Sequence, residues 1–322
     1  PRAEPLVTSS GPRLIRPAMH LDARTRIAQL LVFVTPSLWA ANYVIARLSV
    51  GVIEPHALAF FRWLVALLLM LPIAWPALRA NWPAWRREWR DLLVFGALGM
   101  WICGAFVYIA ARTTSGTNIG LVYAISPVLI AAASARWFGD RLSPRQKGGL
   151  AIAIAGVLLI ILKGNPAALF QLRFTPGDLW VITAAGAWTV YSLMLQARPT
   201  VLDPFARLTA IVMAGLLVLA PFTIAEALVL GPPRIDTQTV LLVLAAGLLP
   251  GFGAYQAYSF MQKQLGPART GLVLYLGPPY AAAATWLILG EQPYWYHWAG
   301  TALLLPGIWL ATARGVPAGA GR

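Results

Sequence analysis

The sequence is poor in charged residues, in acidic residues above all, and in cysteine and histidine. Only 11% of its 322 residues are Asp, Glu, Lys or Arg, under half of the roughly 25% that is usual for a soluble domain. Because 59% of the residues are apolar, a soluble fold of this length could not cover its apolar surface with so few charges. The composition therefore excludes a soluble globular protein and predicts an all-α integral membrane protein.

The single cysteine and the scattered histidines exclude several kinds of site. Cys103 lies in an apolar run, so the chain cannot form an internal disulfide or a cysteine-built metal site. The three histidines, His20, His56 and His297, are at least 36 residues apart, which leaves no local His pair for a metal ion. A glycine-rich phosphate loop and paired catalytic carboxylates are also missing from the sequence. We therefore expect no metal, no cofactor and no enzymatic activity.

Hydrophobic runs of spanning length occupy most of the chain, and short breaks with proline or glycine separate them. A membrane-spanning helix needs roughly 20 apolar residues, whereas β-barrel spans would show short alternating segments. The runs predict ten transmembrane helices, named spans 1 to 10 in chain order, at residues 27–48, 56–75, 91–112, 116–137, 144–163, 177–198, 204–228, 239–263, 268–289 and 293–313. Residues 1–26 and 314–322 are predicted to be tails.

The distribution of Lys and Arg predicts the orientation of the chain in the membrane. The side that holds both termini carries 19 of these residues and the opposite side carries 5, with Arg62 left inside span 2. Because cytoplasmic loops are enriched in Lys and Arg, both termini are predicted to be cytoplasmic. The net charge of +14 is thus explained by membrane topology and gives no reason to expect a nucleic-acid partner.

The chain repeats itself with a shift of 149 to 151 residues. Coincident pairs are Trp39 with Trp188, Pro55 with Pro204, Pro127 with Pro278, Gly139-Asp140 with Gly290-Glu291, and Gly156 with Gly307. The shift predicts two halves of five helices, a first half at residues 27–163 and a second half at residues 177–313. Since five is odd, the second half enters the membrane from the opposite face, which makes the repeat inverted. Inverted repeats are typical of secondary transporters, whose substrate site lies near mid-membrane between the halves.

Several short motifs resemble those of the drug/metabolite transporter superfamily. They are Trp39-Ala40-Ala41-Asn42, Phe60-Phe61-Arg62, Phe138-Gly139-Asp140-Arg141 and Leu289-Gly290-Glu291. Over residues 27–313 the chain resembles the ten-helix EamA-type exporters, and among these it is most similar to the aromatic amino-acid exporters of the YddG type. It departs from that pattern at Asp140, where the family usually has Glu. The resemblance implies export of amino acids or similar small metabolites across the inner membrane by alternating access.

Aromatic residues at mid-depth predict a central cavity lined by rings. Trp normally prefers the headgroup region, so a Trp at the centre of a span needs a cavity or a partner for its indole N–H. The residues predicted to line a substrate cavity are Trp39, Asn42, Tyr43, Trp101, Tyr108, Tyr123, Trp188, Tyr191, Tyr255, Tyr258, Tyr275 and Tyr280. For each of them, packing between helices is the alternative that the sequence leaves open.

Prolines and glycines inside the spans predict kinks. A proline frees the carbonyl four residues before it, and such a carbonyl is tolerated only against protein or a water-filled cavity. The predicted hinge residues are Pro127, Pro250, Gly253, Pro278 and Pro279. A plain packing role for these residues is the alternative.

Arg62 is the only charged residue well inside a span. A charge in hydrocarbon costs at least ~2.5 kcal/mol, so Arg62 should face a cavity or extend toward the interface. In a cavity it would hold a substrate carboxylate or close an outer gate. No Asp or Glu lies at mid-depth, which argues against a proton antiporter of the acid-relay kind.

The sequence therefore predicts an inner-membrane exporter of amino acids, with aromatic amino acids favoured, or of similar small metabolites. The rival within this class is an exporter of cationic aromatic drugs such as quaternary ammonium compounds. An acid at mid-depth would favour this rival, and the sequence has none there. The rival from another class is a non-transporting membrane scaffold or receptor, which has no need of an inverted repeat. The expected partners are a small-molecule substrate and the lipid bilayer, with the chain acting as a monomer.

Overall fold

The computed structural model describes residues 23–137, 143–165, 175–265 and 272–312. The regular elements in these ranges are all helical. They are α1 (Ala23–Leu48), α2 (Pro55–Ala80), α3 (Trp82–Arg87), α4 (Trp89–Gly96), α5 (Cys103–Ala110), α6 (Gly116–Tyr123), α7 (Ser126–Trp137), α8 (Pro144–Ile161), α9 (Pro176–Ala197), α10 (Pro204–Leu230), α11 (Thr237–Ala246), α12 (Ala254–Leu265), α13 (Leu272–Leu289) and α14 (Trp295–Thr312). The motif from Phe138 to Arg141 and most of both predicted tails lie outside the described residues.

Two π-helical segments interrupt the longer helical runs. One, Ala97–Ile102, joins α4 to α5, and the other, Gly247–Gly253, joins α11 to α12. Each run therefore continues as one helix that changes from α-helical to π-helical hydrogen bonding near its middle.

Seven stretches of the described residues are long and apolar enough to cross a membrane. They are Ala23–Leu48, Pro55–Ala80, Trp89–Ala110, Gly116–Ser134, Pro176–Ala197, Pro204–Leu230 and Thr237–Leu265, and they coincide with predicted spans 1–4 and 6–8. The helices α8, α13 and α14 have 18 residues each and lie at predicted spans 5, 9 and 10. The short helix α3 occupies a connection in which the sequence indicates only a break. The all-helical membrane class is confirmed.

Helix starts follow the turn signals in the sequence. Asp203 precedes α10 and accepts hydrogen bonds from the N–H groups of Phe205 and Ala206 at 3.0 and 3.2 Å. Ser143 forms a capping box with Gln146 at the start of α8. In both helices a proline stands in the first turn, where its missing N–H leaves no hydrogen bond unmade.

Glycines allow helices from the two predicted halves to approach closely. A Cβ atom on Gly96 of α4 would lie 2.5 Å from the backbone nitrogen of Gly215 in α10. Similarly, a Cβ atom on Gly247 would lie 2.5 Å from the Val65 side chain in α2. Lipid tails are as apolar as the side chains, so close van der Waals packing of this kind holds membrane helices together. Each of the long helices α2 and α10 thus packs against the other half.

The helices α8 and α14 form an extensive pair that also joins the two halves. A Cβ atom on Gly156 would lie 2.7 Å from the Gly300 carbonyl oxygen, and one on Gly307 would lie 2.5 Å from the Ala153 nitrogen. Since contacts later in α8 fall earlier in α14, the two helices are antiparallel.

The two ends of the bundle differ in charge. The arginine-rich end carries the connection from α2 through α3 to α4, with Arg79, Arg86, Arg87 and Arg90. The arginine-poor end carries residues 49–54, between α1 and α2, and the turn between α5 and α6.

Candidate functional site

A cavity of about 180 Å³ lies among helices of both predicted halves. The volume is close to the roughly 150 Å³ that holds a benzene-sized ligand and below the 300–1,000 Å³ of drug-sized sites. Its aromatic lining consists of Trp39, Tyr43, Trp63, Tyr123, Trp188 and Tyr255. The cavity therefore suits one small solute with an aromatic or apolar part.

About half of the residues predicted from the sequence line this cavity. They are Trp39, Asn42, Tyr43, Tyr123, Trp188 and Tyr255, together with Arg62 and the hinge candidates Pro250 and Pro278. The side chains of Pro127 and Tyr275 lie outside the described part of the structure, although both positions are within helices.

Three other predicted residues form a second layer behind the wall. Tyr191 stacks on Trp188, with ring centroids 5.1 Å apart and planes at 17°. Tyr258 packs against Trp39 at a centroid distance of 5.6 Å. The Tyr108 hydroxyl donates to Asn42 Oδ1 at 2.9 Å. These contacts fix the orientation of side chains that do line the cavity.

The structure places Trp101 away from the described wall of the cavity. Its ring stacks on Phe222 of α10 with centroids 3.9 Å apart and meets Phe106 edge-on at 5.8 Å. Its indole Nε1 is buried and has no hydrogen-bond partner among the described residues. Tyr280 is half-buried and Pro279 is exposed, and both are outside the lining set. These three residues are therefore outside the described wall of the cavity in this conformation.

Several lining residues are absent from the sequence prediction, and Trp63 and Cys103 are the two among them with reactive or aromatic side chains. Trp63 is 2% exposed and lies between Arg62 and Tyr255. The ring centroids of Trp63 and Tyr255 are 6.1 Å apart. Cys103 is half-buried at the cavity, and its thiol donates to the Ala184 carbonyl at 3.3 Å. The available signal for Trp63 is its position next to Arg62 near the middle of span 2.

Arg62 is a buried cation with no ion-pair partner among the described residues. Its side chain lines the cavity, and the residue is 5% exposed. Its Nη1 donates to Asn42 Oδ1 at 2.9 Å and to the Tyr108 hydroxyl at 2.8 Å. The guanidinium carbon lies 4.5 Å from the Trp63 ring centroid, a cation–π distance. Neutral acceptors and a ring face offset only part of the cost of burying a charge.

The fourth predicted span is discontinuous beside the cavity. Helix α6 ends at Tyr123 and α7 begins at Ser126. The Tyr123 carbonyl, which Pro127 leaves without its helical donor, accepts the Ser126 hydroxyl at 2.7 Å. The corresponding helix α13 runs unbroken through Pro278. The two symmetric prolines therefore have different local effects.

The two π-helical segments occupy corresponding positions beside the cavity. A shift of 151 residues places Ala97–Ile102 on residues 248–253. Gly99 and Pro250, one from each segment, line the cavity. Pro250 has no N–H to donate, which accounts for a change of winding in the second segment. The first segment contains no proline, and the sequence predicts a kink only in the second.

At the arginine-poor end, α6 and α13 pack closely and close the space between them. A Cβ atom on Gly120 would lie 2.4 Å from the Ala281 Cβ, and one on Gly116 would lie 2.7 Å from Thr285. The hydroxyls of Thr117 and Thr285 are 2.7 Å apart. The lining residues of α7 and of the first turns of α13 lie instead toward the arginine-rich end.

Polar contacts reinforce the same closed end. Arg47 Nε donates to Glu291 Oε1 at 3.0 Å, and Glu291 Oε2 accepts a backbone N–H from the first turn of α6. His297 Nδ1 accepts the Tyr294 N–H, so the ring is the neutral tautomer whose Nε2–H donates to Asn118 Oδ1 at 2.9 Å. A polar pocket of about 670 Å³ adjoins these residues. No cluster of three or more potential metal ligands lies among the described residues.

Comparison with known proteins gives matches along nearly the whole chain. The sequence profile of the EamA-like transporter family matches residues 26–162 and 175–313. An uncharacterized transporter of Archaeoglobus fulgidus is 26% identical over 88% of this chain and 97% of its own length. A probable terminal-alkyne amino-acid exporter of Streptantibioticus cattleyicolor is 29% identical over 65% of this chain and 66% of its own. The aromatic amino acid exporter YddG of Ancylobacter novellus is 25% identical over 78% of this chain and 85% of its own length.

Proposed function

Because the chain belongs to the EamA-like transporter family, we propose that it exports amino acids, preferably aromatic ones, or similar small metabolites. It is a multi-pass protein of the bacterial inner membrane, and its named relatives are transporters rather than enzymes. The observation that carries the proposal is the central cavity, where six aromatic side chains and one buried guanidinium surround about 180 Å³.

The proposed architecture has ten spans in two inverted halves with both termini in the cytoplasm. Support comes from the two family matches of similar length and from the antiparallel packing of α8 on α14. The close contacts of α4 with α10 and of α2 with the second π-helical segment are equivalent when the halves are exchanged. The excess of Lys and Arg at the arginine-rich end supports its assignment to the cytoplasmic side.

The composition of the wall supports a carboxylate-bearing aromatic solute over a cationic drug. Trp39 and Trp188 line the cavity and supply aromatic surface for a planar group. Arg62 is the only charged residue among the described lining residues, so the local potential favours an anionic group and opposes a cation. The absence of an acid from this lining set removes the usual partner of a quaternary ammonium ion.

Alternating access would follow from the asymmetry of the cavity. In the present conformation α6 and α13 are in contact at the arginine-poor end, and the cavity extends toward the arginine-rich end. With the termini in the cytoplasm, this conformation faces inward and accepts solute from the cytoplasm. Release to the outside requires α6 and α13 to separate, with the π-helical segments and the break at Pro127 as bending points.

Flux into liposomes tests the proposed function. Purified protein should accelerate counterflow of phenylalanine and tryptophan over empty vesicles, with slower flux of alanine and little of a quaternary ammonium dye. Failure to move any of a broad panel of amino acids and metabolites would refute export. Preferential flux of the dye would instead support the drug-export alternative. Repeating the assay with an imposed pH gradient distinguishes facilitated movement from proton coupling.

A further inference from the structure

The hydrogen bonds of Arg62 to other described residues use only the Nη1 atom of its guanidinium group. A guanidinium presents five N–H donors in a fixed planar fork. In this structure Nη1 is held by Asn42 of α1 and by Tyr108 of α5, at 2.9 and 2.8 Å. Trp63 covers one face of the plane. The edge formed by Nε and Nη2 is what remains for a further partner.

The Nε–Nη2 edge has no acceptor among the described residues. The Nε atom is buried, and no described residue accepts its proton. No carboxylate of the described residues lies within ion-pair distance of the group. A buried donor without a partner is costly, and the cost is recovered when a solute in the cavity that Arg62 lines supplies an acceptor. The arrangement therefore points to a ligand with two acceptor oxygens.

We propose that the Nε–Nη2 edge of Arg62 binds the carboxylate of the transported solute in a bidentate manner. Asn42 and Tyr108 are positioning residues that hold Nη1 and so leave this edge for the solute. The inference rests on the proposed export function and adds a selection rule to it: the site recognises the carboxylate, and decarboxylated amines are rejected. Two parallel N–H···O bonds from one edge match the spacing of carboxylate oxygens.

The neutral character of Asn42 is essential to this rule. Asn42 Oδ1 accepts from both Arg62 and Tyr108, which an Asp carboxylate of the same shape would also do. An Asp at this position would, however, pair with the cation inside the protein and cancel the charge that attracts the solute. The substitution Asn42→Asp therefore removes the attraction while it preserves the packing and the hydrogen bonds.

Competition with phenylalanine analogues tests the selection rule in proteoliposomes. Counterflow of labelled L-phenylalanine is measured against 3-phenylpropionate, which lacks the amine, and against phenethylamine and L-phenylalaninamide, which lack the carboxylate. The native protein should be inhibited by 3-phenylpropionate at concentrations at least about 10-fold lower than by the other two, because hydrogen bonds to charged groups are the strong ones. Equal inhibition by all three analogues, with normal phenylalanine flux, would overturn the inference and leave the proposed function standing. A lack of flux in the native protein, for phenylalanine and for every other solute of the panel, would refute the proposed function instead.

Variants of the site separate recognition from folding. Arg62→Gln should raise the half-saturating concentration of phenylalanine about 10- to 100-fold and abolish the preference among the analogues. Arg79→Gln makes the same change at an exposed position of the same helix and should behave as the native protein. If Arg62→Gln does not fold, Asn42→Asp decides the question, since it cancels the local charge and should abolish the preference for 3-phenylpropionate. An unchanged preference in Asn42→Asp would overturn the inference.

Removing one positioning contact should affect binding more than turnover. Tyr108→Phe deletes one acceptor of Nη1 and keeps the ring, so the half-saturating concentration should rise while the maximal rate stays near the native value. An equal loss in maximal rate for every solute would assign Tyr108 a merely structural role and overturn its part in the proposal.

Discussion

Replacing Glu291 with Gln should open the arginine-poor end of the cavity. Gln keeps an oxygen for the α6 backbone but loses the ion pair with Arg47, whose Nε lies 3.0 Å from the carboxylate. The two side chains are 34% and 18% exposed. This exposure lies between that of a surface pair, worth about 0.2–1 kcal/mol, and a buried pair, whose disruption costs about 3–5 kcal/mol. We expect the closed state to lose about 1–2 kcal/mol, which is roughly a 5- to 30-fold change in the ratio of open to closed molecules.

The only cysteine in the sequence provides the assay. Cys103 lines the cavity, so the native chain carries one thiol at the point of interest. With the proposed orientation, a membrane-impermeant thiol reagent added to right-side-out vesicles reaches Cys103 only while the arginine-poor end is open. Its rate of labelling should rise about 5- to 30-fold in the Glu291→Gln variant, because the rate follows the open population.

A second ion pair at the same end supplies the matched control. Arg112 pairs with Glu54, and both residues belong to the first half, so this pair does not bridge the halves. Glu54→Gln should leave the labelling rate near that of the native protein. An unchanged rate in Glu291→Gln, or an equal rise in Glu54→Gln, would refute the gating role of the pair between Arg47 and Glu291.

Three further predictions concern the packing, the cavity and the hinge, and the first two have a matched control substitution. Gly120→Ala places a methyl group 2.4 Å from a Cβ atom of α13 and should cost about 1–3 kcal/mol of stability. The control Gly186→Ala places its methyl group where no atom lies within 4 Å and should leave the stability unchanged. Equal melting temperatures of the two variants would contradict the close contact. Trp188→Ala should reduce liposome flux of aromatic amino acids more than flux of alanine. Trp101→Ala should lower the melting temperature and leave the ratio of solute fluxes unchanged, and a selective loss of aromatic flux there would count against its position outside the cavity. Pro250→Ala restores a backbone donor and should slow turnover at saturating solute with little effect on the half-saturating concentration; an unchanged maximal rate would argue against a hinge.

The positions of the helices could be predicted from the sequence because the bilayer fixes their length and polarity. Predicted span 6, residues 177–198, and the helix α9, Pro176–Ala197, agree within one residue at each end. The connection containing α3 was less accessible, since Trp82–Arg87 is too short to show a periodic pattern.

The lining of the cavity was harder to predict because sequence position gives depth in the membrane but not direction. Trp101 and Trp63 both lie inside long apolar runs, in which Arg62 beside Trp63 is the only charged residue nearby. Around Trp101 nothing marks the face that points to the centre, since lipid and the protein interior are equally apolar. The structure turns Trp63 toward the cavity and Trp101 toward Phe222 of α10. Only tertiary packing decides between the two directions.

The environment of Arg62 was predictable in part. The cost of a charge in hydrocarbon indicates that Arg62 must face a cavity or an interface, and it lines the cavity. Its two hydrogen-bond partners come from α1 and α5, 20 and 46 residues away along the chain. Such a cluster depends on how three helices cross, which no local pattern encodes.

The packing between α8 and α14 has a consequence for synthesis of the protein. Gly156 in α8 is covered by Gly300 in α14, and Gly96 in α4 is covered by Gly215 in α10. The ribosome makes α10 and α14 after α4 and α8, so the glycine surfaces of α4 and α8 lack these partners while the chain between them is translated. A nascent chain that stops before α10 therefore lacks the helices that pack against Gly96 and Gly156 in the complete protein.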